Sequence, residues 1–153
     1  MNRLDTRIPP PLVMVLCGAL AWGAAQLIPA GRLTHPAAPL TGGLLVAVGI
    51  ALNGLPKRDF RHAGTTVNPL RPQAATRLVV TGLHRFSRNP MYLGHAVILL
   101  GVALLLEHLA ALVAVPAYMA YVTRFQIRPE ERALRARFGA FYLDYCNRVR
   151  RWL

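Results

Sequence analysis

Four apolar segments dominate the chain and restrict what it can fold into. They run roughly from Pro11 to Pro29, Pro39 to Pro56, Pro90 to Leu106 and Leu109 to Thr123. A helix needs ~20 apolar residues to cross the hydrocarbon core of a bilayer, so the last two segments are short for a full span. Pro116 interrupts the fourth, where we expect tilt, a kink or a locally thinned bilayer. The sequence predicts an all-α integral membrane protein with about four transmembrane helices.

The composition agrees with this fold class. Of the 153 residues, 54% are hydrophobic and only 16% are charged, and the mean hydropathy is +0.35. An ordinary soluble domain is more polar. Arg3 and Arg7 before the first apolar segment also fit a secretory signal, but that segment is longer than a usual signal core. Cys17 and Cys146 are far apart, so neither a disulfide framework nor a metal site is predicted.

The distribution of basic residues predicts the topology. Of the 18 lysines and arginines, only Arg32 falls in the first connection, and the third connection carries only Glu107 and His108. Because basic residues collect on the cytoplasmic side, four crossings with both termini in the cytoplasm are expected, in a bacterial inner membrane. The net charge of +12 then reflects topology and attraction to anionic membrane lipids, worth ~1 kcal/mol per basic residue near the surface. Nucleic acid is not an expected partner, because no recognition motif is present.

The connection between the second and third segments, Lys57 to Asn89, is too long for a plain loop. Structureless loops beyond ~15 residues are usually functional or disordered. Gly64, Pro69 and Pro72 predict turns, and the following "TRLVVTGLHRF" predicts a short extended stretch with a turn at Gly82. We expect this connection to form a cap against the cytoplasmic face of the helices.

The C-terminal segment has the pattern of an amphipathic helix. Apolar residues spaced three and four apart form one stripe: Leu134, Phe138, Phe141, Tyr142 and Tyr145. Pro129 fits a first helical turn, where Glu130 and Glu131 would complement the helix dipole. The chain has only six acidic residues, so an adjacent pair also suggests a functional role. Both explanations stay open.

Two blocks of sequence resemble the isoprenylcysteine carboxyl methyltransferase and phospholipid methyltransferase superfamily of integral membrane enzymes. The blocks are "TGLHRFSRNPMYLGH" and, after a hydrophobic hairpin, "RPEERALRARFGAFYLDYCNRVRR". The first matches at Gly82, Arg85, Arg88, Asn89, Pro90, Tyr92 and Gly94. The second matches at Glu130, Glu131, Leu134, Phe138, Gly139, Tyr142 and Tyr145. The resemblance covers about residues 60 to 151 and implies one methyltransferase-like domain over the whole chain.

The resemblance implies methyl transfer from S-adenosylmethionine at the cytoplasmic ends of the last helices. No glycine-rich Rossmann motif lies between a strand and a helix, so the nucleotide must be held differently. The positions that the resemblance assigns to the cofactor are Thr76, Leu78, Val79, His84, Arg88, Asn89, Pro90, Tyr92, Gly94 and Glu130. A carboxylate such as Glu130 can accept hydrogen bonds from the ribose diol or the ammonium group.

Candidate catalytic and substrate residues follow from the same comparison. Glu131 and His84 are candidate bases, since an amine, thiol or phenol must lose a proton whereas a carboxylate need not. His95 lies one turn into the membrane, where an ionisable group is a functional hypothesis. Gln126 stands where the prenylcysteine enzymes carry a substrate-binding arginine, although Arg124 and Arg128 are close. This departure leaves a prenylcysteine-like carboxylate, a lipid amine and a small apolar nucleophile as alternative acceptors.

Other functions are compatible with parts of the pattern. An NADPH-dependent membrane reductase of the steroid-reductase type has similar C-terminal glycine and tyrosine spacing, and a non-catalytic lipid-binding protein would bind neither nucleotide. The block around Arg88 also fits a plain helix entry, with Asn89 as N-cap and Pro90 at the first position. For an enzyme, we expect a lipophilic acceptor to enter laterally between helices lined by small residues that permit close approach or leave a gap: Gly94, Ala96, Gly101 and Ala103.

Overall fold

The computed structural model describes residues 5–64 and 76–153, and the regular structure in these two ranges is helical. The helices are α1 (Pro10–Leu27), α2 (Ala38–His62), α3 (Pro90–Leu105), α4 (Leu109–Leu112), α5 (Ala114–Val122) and α6 (Arg128–Arg148). A 3-10 turn covers Gly82–Arg85 and a π-helical turn covers Thr123–Ile127. Within the described ranges, the β-type pairing is a single backbone bridge between Arg32 and His108. The predicted all-α fold is confirmed.

Three helical stretches are long and apolar enough to cross a membrane. They are α1, α2 and the run Leu109–Arg148, with mean hydropathies of 1.5, 1.7 and 1.2. The apolar helix α3 is shorter, at 16 residues. The second segment was expected to end at Pro56, but α2 continues to His62. Proline is tolerated inside a transmembrane helix when neighbouring helices compensate, and Pro56 is buried.

Helices α2 and α3 pack closely through two pairs of glycines, Gly42 with Gly101 and Gly49 with Gly94. A Cβ at Gly94 would lie 2.6 Å from the carbonyl oxygen of Gly49, and a Cβ at Gly101 would lie 2.6 Å from that of Gly42. Small residues permit this approach of two backbones in a membrane. Gly94 and Gly101 therefore permit a close helix contact, one of the two roles expected of them, and this contact is with α2.

The other two small residues of the expected entry path lie in the main apolar core. Ala96 and Ala103 are buried in a cluster with Val13 of α1, Leu99 of α3 and Tyr118 of α5. They leave no gap, because these side chains pack around them. The core thus joins α1, α3 and α5, while the outer faces of α1 and α2 expose apolar side chains, as expected of lipid-facing helices.

The fourth apolar segment is interrupted close to Pro116, as expected. Pro116 lies in the first turn of α5, where the missing N–H costs little. The break falls one residue before α5, at Val113, and the short helix α4 precedes it. His108 caps α4, because its Nδ1 accepts a hydrogen bond from the Ala110 N–H at 3.2 Å.

Helix α6 continues directly from the π-helical turn instead of starting afresh. Its first flanking residue, Ile127, already has helical backbone angles. The dipole explanation for Glu130 and Glu131 therefore fails, since the N–H groups of a helix start are not exposed there. Gly139 has φ of +52° and kinks α6. This kink changes the register of the apolar stripe, so Phe141 is 54% exposed while Tyr142 and Tyr145 are buried.

The described end of the long connection packs against α6. Leu78, Val79 and Val80 precede the predicted turn at Gly82, whose φ of +57° confirms it. Leu78 and Val80 contact a cluster centred on Tyr142 and Tyr145. This part of the connection is therefore a cap on the end of the helices. The turns predicted at Pro69 and Pro72 lie outside the described residues.

Candidate functional site

A cleft opens where this cap, the start of α3 and the first half of α6 meet. Its volume is about 110 Å³, so a nucleotide bound there would extend through the open mouth. The residues that line it are Phe60, Arg77, Leu78, Val79, His84, Arg88, Asn89, Pro90, Met91, Tyr92, Glu130, Glu131, Leu134, Tyr142 and Tyr145. Most of the wall is apolar, and its ionisable side chains include Glu130, His84 and Glu131, which are described next.

Glu130 presents a carboxylate to the cleft. Its Oε1 accepts hydrogen bonds from the Tyr92 hydroxyl at 2.6 Å and from Gln126 Nε2 at 2.7 Å. Gln126 is only 3% exposed and lies in the π-helical turn, a feature common at functional sites. Both bonds fall on one oxygen. Oε2 is thus the part of this carboxylate that can accept hydrogen bonds from a ligand.

His84 lies on the opposite wall and is buried. Its ring packs edge-on against Phe60 with 5.2 Å between centroids, and its carbonyl oxygen accepts a hydrogen bond from the Tyr145 hydroxyl at 2.7 Å. Nδ1 is buried and has no hydrogen-bond partner among the described residues. Burial lowers the pKa of His84 to about 4, against the opposing charge of Asp59. The ring is therefore neutral at pH 7 and can bond to a ligand.

Glu131 is held by two arginines. Arg88 Nη2 donates to its Oε1 at 2.9 Å, and Arg151 donates through Nε to Oε1 at 2.9 Å and through Nη2 to Oε2 at 2.8 Å. Arg88 Nη1 also donates to the carbonyl oxygens of Cys146 and Val149, each at 3.1 Å. This network connects the start of α3, the first turn of α6 and the chain after α6.

The C-terminal residues fold back onto the "RFSRNP" block. The Arg88 N–H donates to the Arg150 carbonyl at 3.0 Å, and Asn89 Nδ2 donates to the Arg151 carbonyl at 2.9 Å. Asn89 occupies the N-cap position of α3, but its side chain makes no capping bond. The expectation of a plain helix entry is therefore only partly met. The asparagine binds the chain terminus, while Pro90 begins the helix as expected.

The structure brings most of the predicted cofactor residues together and leaves two elsewhere. Thr76 does not line the cleft, and its hydroxyl donates to the Gly64 carbonyl at 3.3 Å. Gly94 packs against α2, where a side chain would collide with Gly49. The other predicted cofactor positions and both candidate bases line the cleft.

The four predicted substrate residues do not form one group. Gln126 donates a hydrogen bond to Glu130, and His95 lies in a separate cleft bounded by α1, α2 and α3. Arg124 is 3.6 Å from Asp5 in an ion pair. Arg128 is exposed on the far side of Glu131, beside Arg132 and Arg135.

Sequence reasoning missed Phe60, which lines the cleft, and Arg151, which binds Glu131. Phe60 lies in α2, outside both motif blocks, and Arg151 belongs to a charged segment that has no distinctive pattern. The tertiary fold places both. By contrast, the aromatic spacing of α6 could have indicated Tyr142 and Tyr145 as cleft residues, since both were expected on its buried stripe.

The fold and this cleft define a helical integral membrane protein with a polar site at the ends of its helices. The family profile of phospholipid methyltransferases matches residues 38–140, so the chain belongs to this family. An uncharacterized protein of Haemophilus influenzae is 40% identical over 63 residues, which are 41% of this chain and all of that relative. No solved structure gives a significant match. Family membership identifies a membrane methyltransferase.

Proposed function

We propose that the protein transfers a methyl group from S-adenosylmethionine to a lipophilic acceptor, and that it acts as a single domain with its cofactor site in residues 60–151. The carboxylate of Glu130 is the observation that carries the proposal. It lies in a cleft whose wall is mostly apolar, with Tyr92 and Gln126 fixing one oxygen and leaving the other for a ligand. A carboxylate in this setting suits a ligand rich in hydrogen-bond donors and positive charge.

The residues present fit this cofactor. S-adenosylmethionine supplies a methyl group already activated on a sulfonium. Glu130 can bind its ribose diol or ammonium group, and Leu78 and Leu134 offer apolar surface for its adenine. His84 and Arg88 add polar side chains to the lining of the same cleft.

The two candidate bases differ in their environment. Both oxygens of Glu131 accept hydrogen bonds from arginines, so this carboxylate is better suited to positioning Arg88 and Arg151 than to accepting a proton. His84 is neutral and accessible from the cleft, but its lowered pKa means that it holds a proton weakly. Alignment and exclusion of water therefore account for most of the catalysis, and proximity can supply ~7–11 kcal/mol.

Isothermal titration of the detergent-purified protein with S-adenosylhomocysteine and with NADPH tests the cofactor. We expect saturable binding of S-adenosylhomocysteine and none of NADPH, because Glu130 repels a ligand rich in phosphate. Binding of NADPH alone would identify a reductase. Absence of binding by either nucleotide would instead point to a lipid-binding protein.

We further propose a bacterial inner-membrane protein with both termini and the cap in the cytoplasm, supported by the single basic residue in the first connection. Thr34 and Thr81 are both exposed and lie at opposite ends of α2 and its neighbours. In a background with Cys17→Ala and Cys146→Ala, a membrane-impermeant maleimide should label Thr34→Cys in spheroplasts. Thr81→Cys should react only after permeabilisation. Labelling of Thr81→Cys in sealed spheroplasts would refute this orientation.

A further inference from the structure

A second cleft lies on the membrane side of Tyr92. It has a volume of about 120 Å³ and its wall is mainly apolar. Three helices form it: α1 through Pro10 and Pro11, α2 through Asn53 and Lys57, and α3 through Met91 and His95. The helices that bound it are those exposed to lipid, so a lipid can reach this cleft from the side.

Only a thin wall separates the two clefts. Met91 and Tyr92 line both of them, and the Tyr92 hydroxyl donates to Glu130 on the cofactor side. A group bound in the second cleft would therefore lie one side chain away from a ligand bound beside Glu130. Methyl transfer requires the nucleophile to lie about 3–3.5 Å from the methyl carbon, so the reacting part of a head group anchored in the second cleft must extend past Tyr92.

A chain of polar groups runs along one side of the second cleft. Lys57 Nζ donates to Asn53 Oδ1 at 2.9 Å, and Asn53 Nδ2 is 2.8 Å from His95 Nε2. Because the amide nitrogen donates, Nε2 accepts, which assigns the proton of His95 to Nδ1, 2.8 Å from the Tyr118 hydroxyl. The network fixes Asn53 and holds Lys57 by one bond.

Among the residues that the structure describes, Lys57 is the cationic side chain that lines this cleft. An ammonium has three N–H donors, and the bond to Asn53 uses one of them. The other two can bind an oxyanion at the mouth of the cleft. Arg58, the next residue, is exposed and does not line the cleft.

We propose that this second cleft binds the head group of the acceptor lipid, and that Lys57 recognises an oxyanion on it, a carboxylate or a phosphate. The inference rests on the proposed function, since it places the acceptor opposite the methyl donor across Tyr92. The lipid tail then lies against the exposed apolar faces of α1 and α2. His95 takes part by orienting Asn53, whereas the predicted substrate residues Arg124 and Arg128 lie outside this cleft.

Native mass spectrometry of the detergent-purified full chain tests the site with three single-chain probes: oleic acid, oleyl phosphate and oleyl alcohol, at equal mole fractions in the micelle. We expect the two acids to bind the native protein at lower mole fractions than the alcohol. Lys57→Met should weaken acid binding about tenfold, consistent with ~1.5 kcal/mol for a charge-assisted bond, and leave alcohol binding unchanged. If Lys57→Met weakens the binding of only one of the two acids, the head group of that acid, carboxylate or phosphate, is the group that Lys57 recognises.

Arg58→Met is the matched control, because it removes the same charge from the neighbouring position. Equal weakening in both variants would mean general attraction to the basic surface and would overturn the proposal, as would unchanged acid binding in Lys57→Met. Lys57→Met should keep its affinity for S-adenosylhomocysteine within about twofold, since Lys57 does not line the cofactor cleft. Failure of the native protein to bind S-adenosylhomocysteine refutes the proposed function, whereas the lipid results refute only the acceptor site.

Discussion

Replacing Glu130 by glutamine should weaken the binding of S-adenosylhomocysteine roughly ten- to hundred-fold. Hydrogen bonds to a charged group are worth ~1.5–3 kcal/mol, and 1.4 kcal/mol corresponds to a factor of ten. The glutamine keeps the size of the side chain and an oxygen that Tyr92 and Gln126 can bond. The affinity should therefore fall while the folded structure persists. Isothermal titration gives the affinity, and thermal unfolding in the same detergent gives the stability.

Asp144→Asn is the matched control for this change. Asp144 also lies on α6, but it is exposed and pairs only with Arg148 one turn away. Its loss should alter neither the affinity nor, by more than ~0.5 kcal/mol, the stability. If the loss of any negative charge from α6 weakened binding, Glu130→Gln and Asp144→Asn would weaken it equally. Unchanged affinity in Glu130→Gln would remove Glu130 from the cofactor site.

The all-α fold class and the order of the apolar segments were predictable because membrane crossing imposes a length and an apolar composition that the sequence displays directly. The helices against which α3 packs could not be predicted in the same way. Gly94 and Gly101 are seven residues apart, as are Gly42 and Gly49 in α2. This matched spacing is a sequence signal for the contact that forms. Small residues alone, however, do not say which neighbouring helix they face.

The candidate site likewise has some features that the sequence predicts and others that it does not. Most of the residues that line the cleft come from the first motif block and the paired glutamates. They could be predicted because residues adjacent in a loop or in one helical turn stay adjacent in the fold. Two features left no recognisable pattern in the sequence. The π-helical turn places Gln126 against Glu130, four residues later, and the return of Arg151 to Glu131 joins residues 20 apart in the chain.

Arg88→Met should be the most destabilising of the substitutions considered, with a loss of ~3 kcal/mol or more in the free energy of unfolding. The Arg88 side chain is 12% exposed and pairs with Glu131. Removing one partner of a buried pair typically costs ~3–5 kcal/mol, because the other charge stays buried. Here Arg151 still binds Glu131 and offsets part of that cost, but the carbonyl groups of Cys146 and Val149 also lose a donor.

Unfolding of the purified variants, followed by circular dichroism in detergent, measures this loss. Arg148→Met is the matched control, since Arg148 is 63% exposed and its pair with Asp144 should be worth ~0.5 kcal/mol or less. The double variant Arg88→Met, Glu131→Gln should lose less than the sum of the single changes, because the charge that Arg88 neutralises is then absent, while Arg151, whose side chain is 35% exposed, is solvated by water. Additive losses would show that Arg88 acts through its carbonyl contacts alone. A loss no larger than that of Arg148→Met would mean that the network joining α3, α6 and the chain terminus does not stabilise the fold.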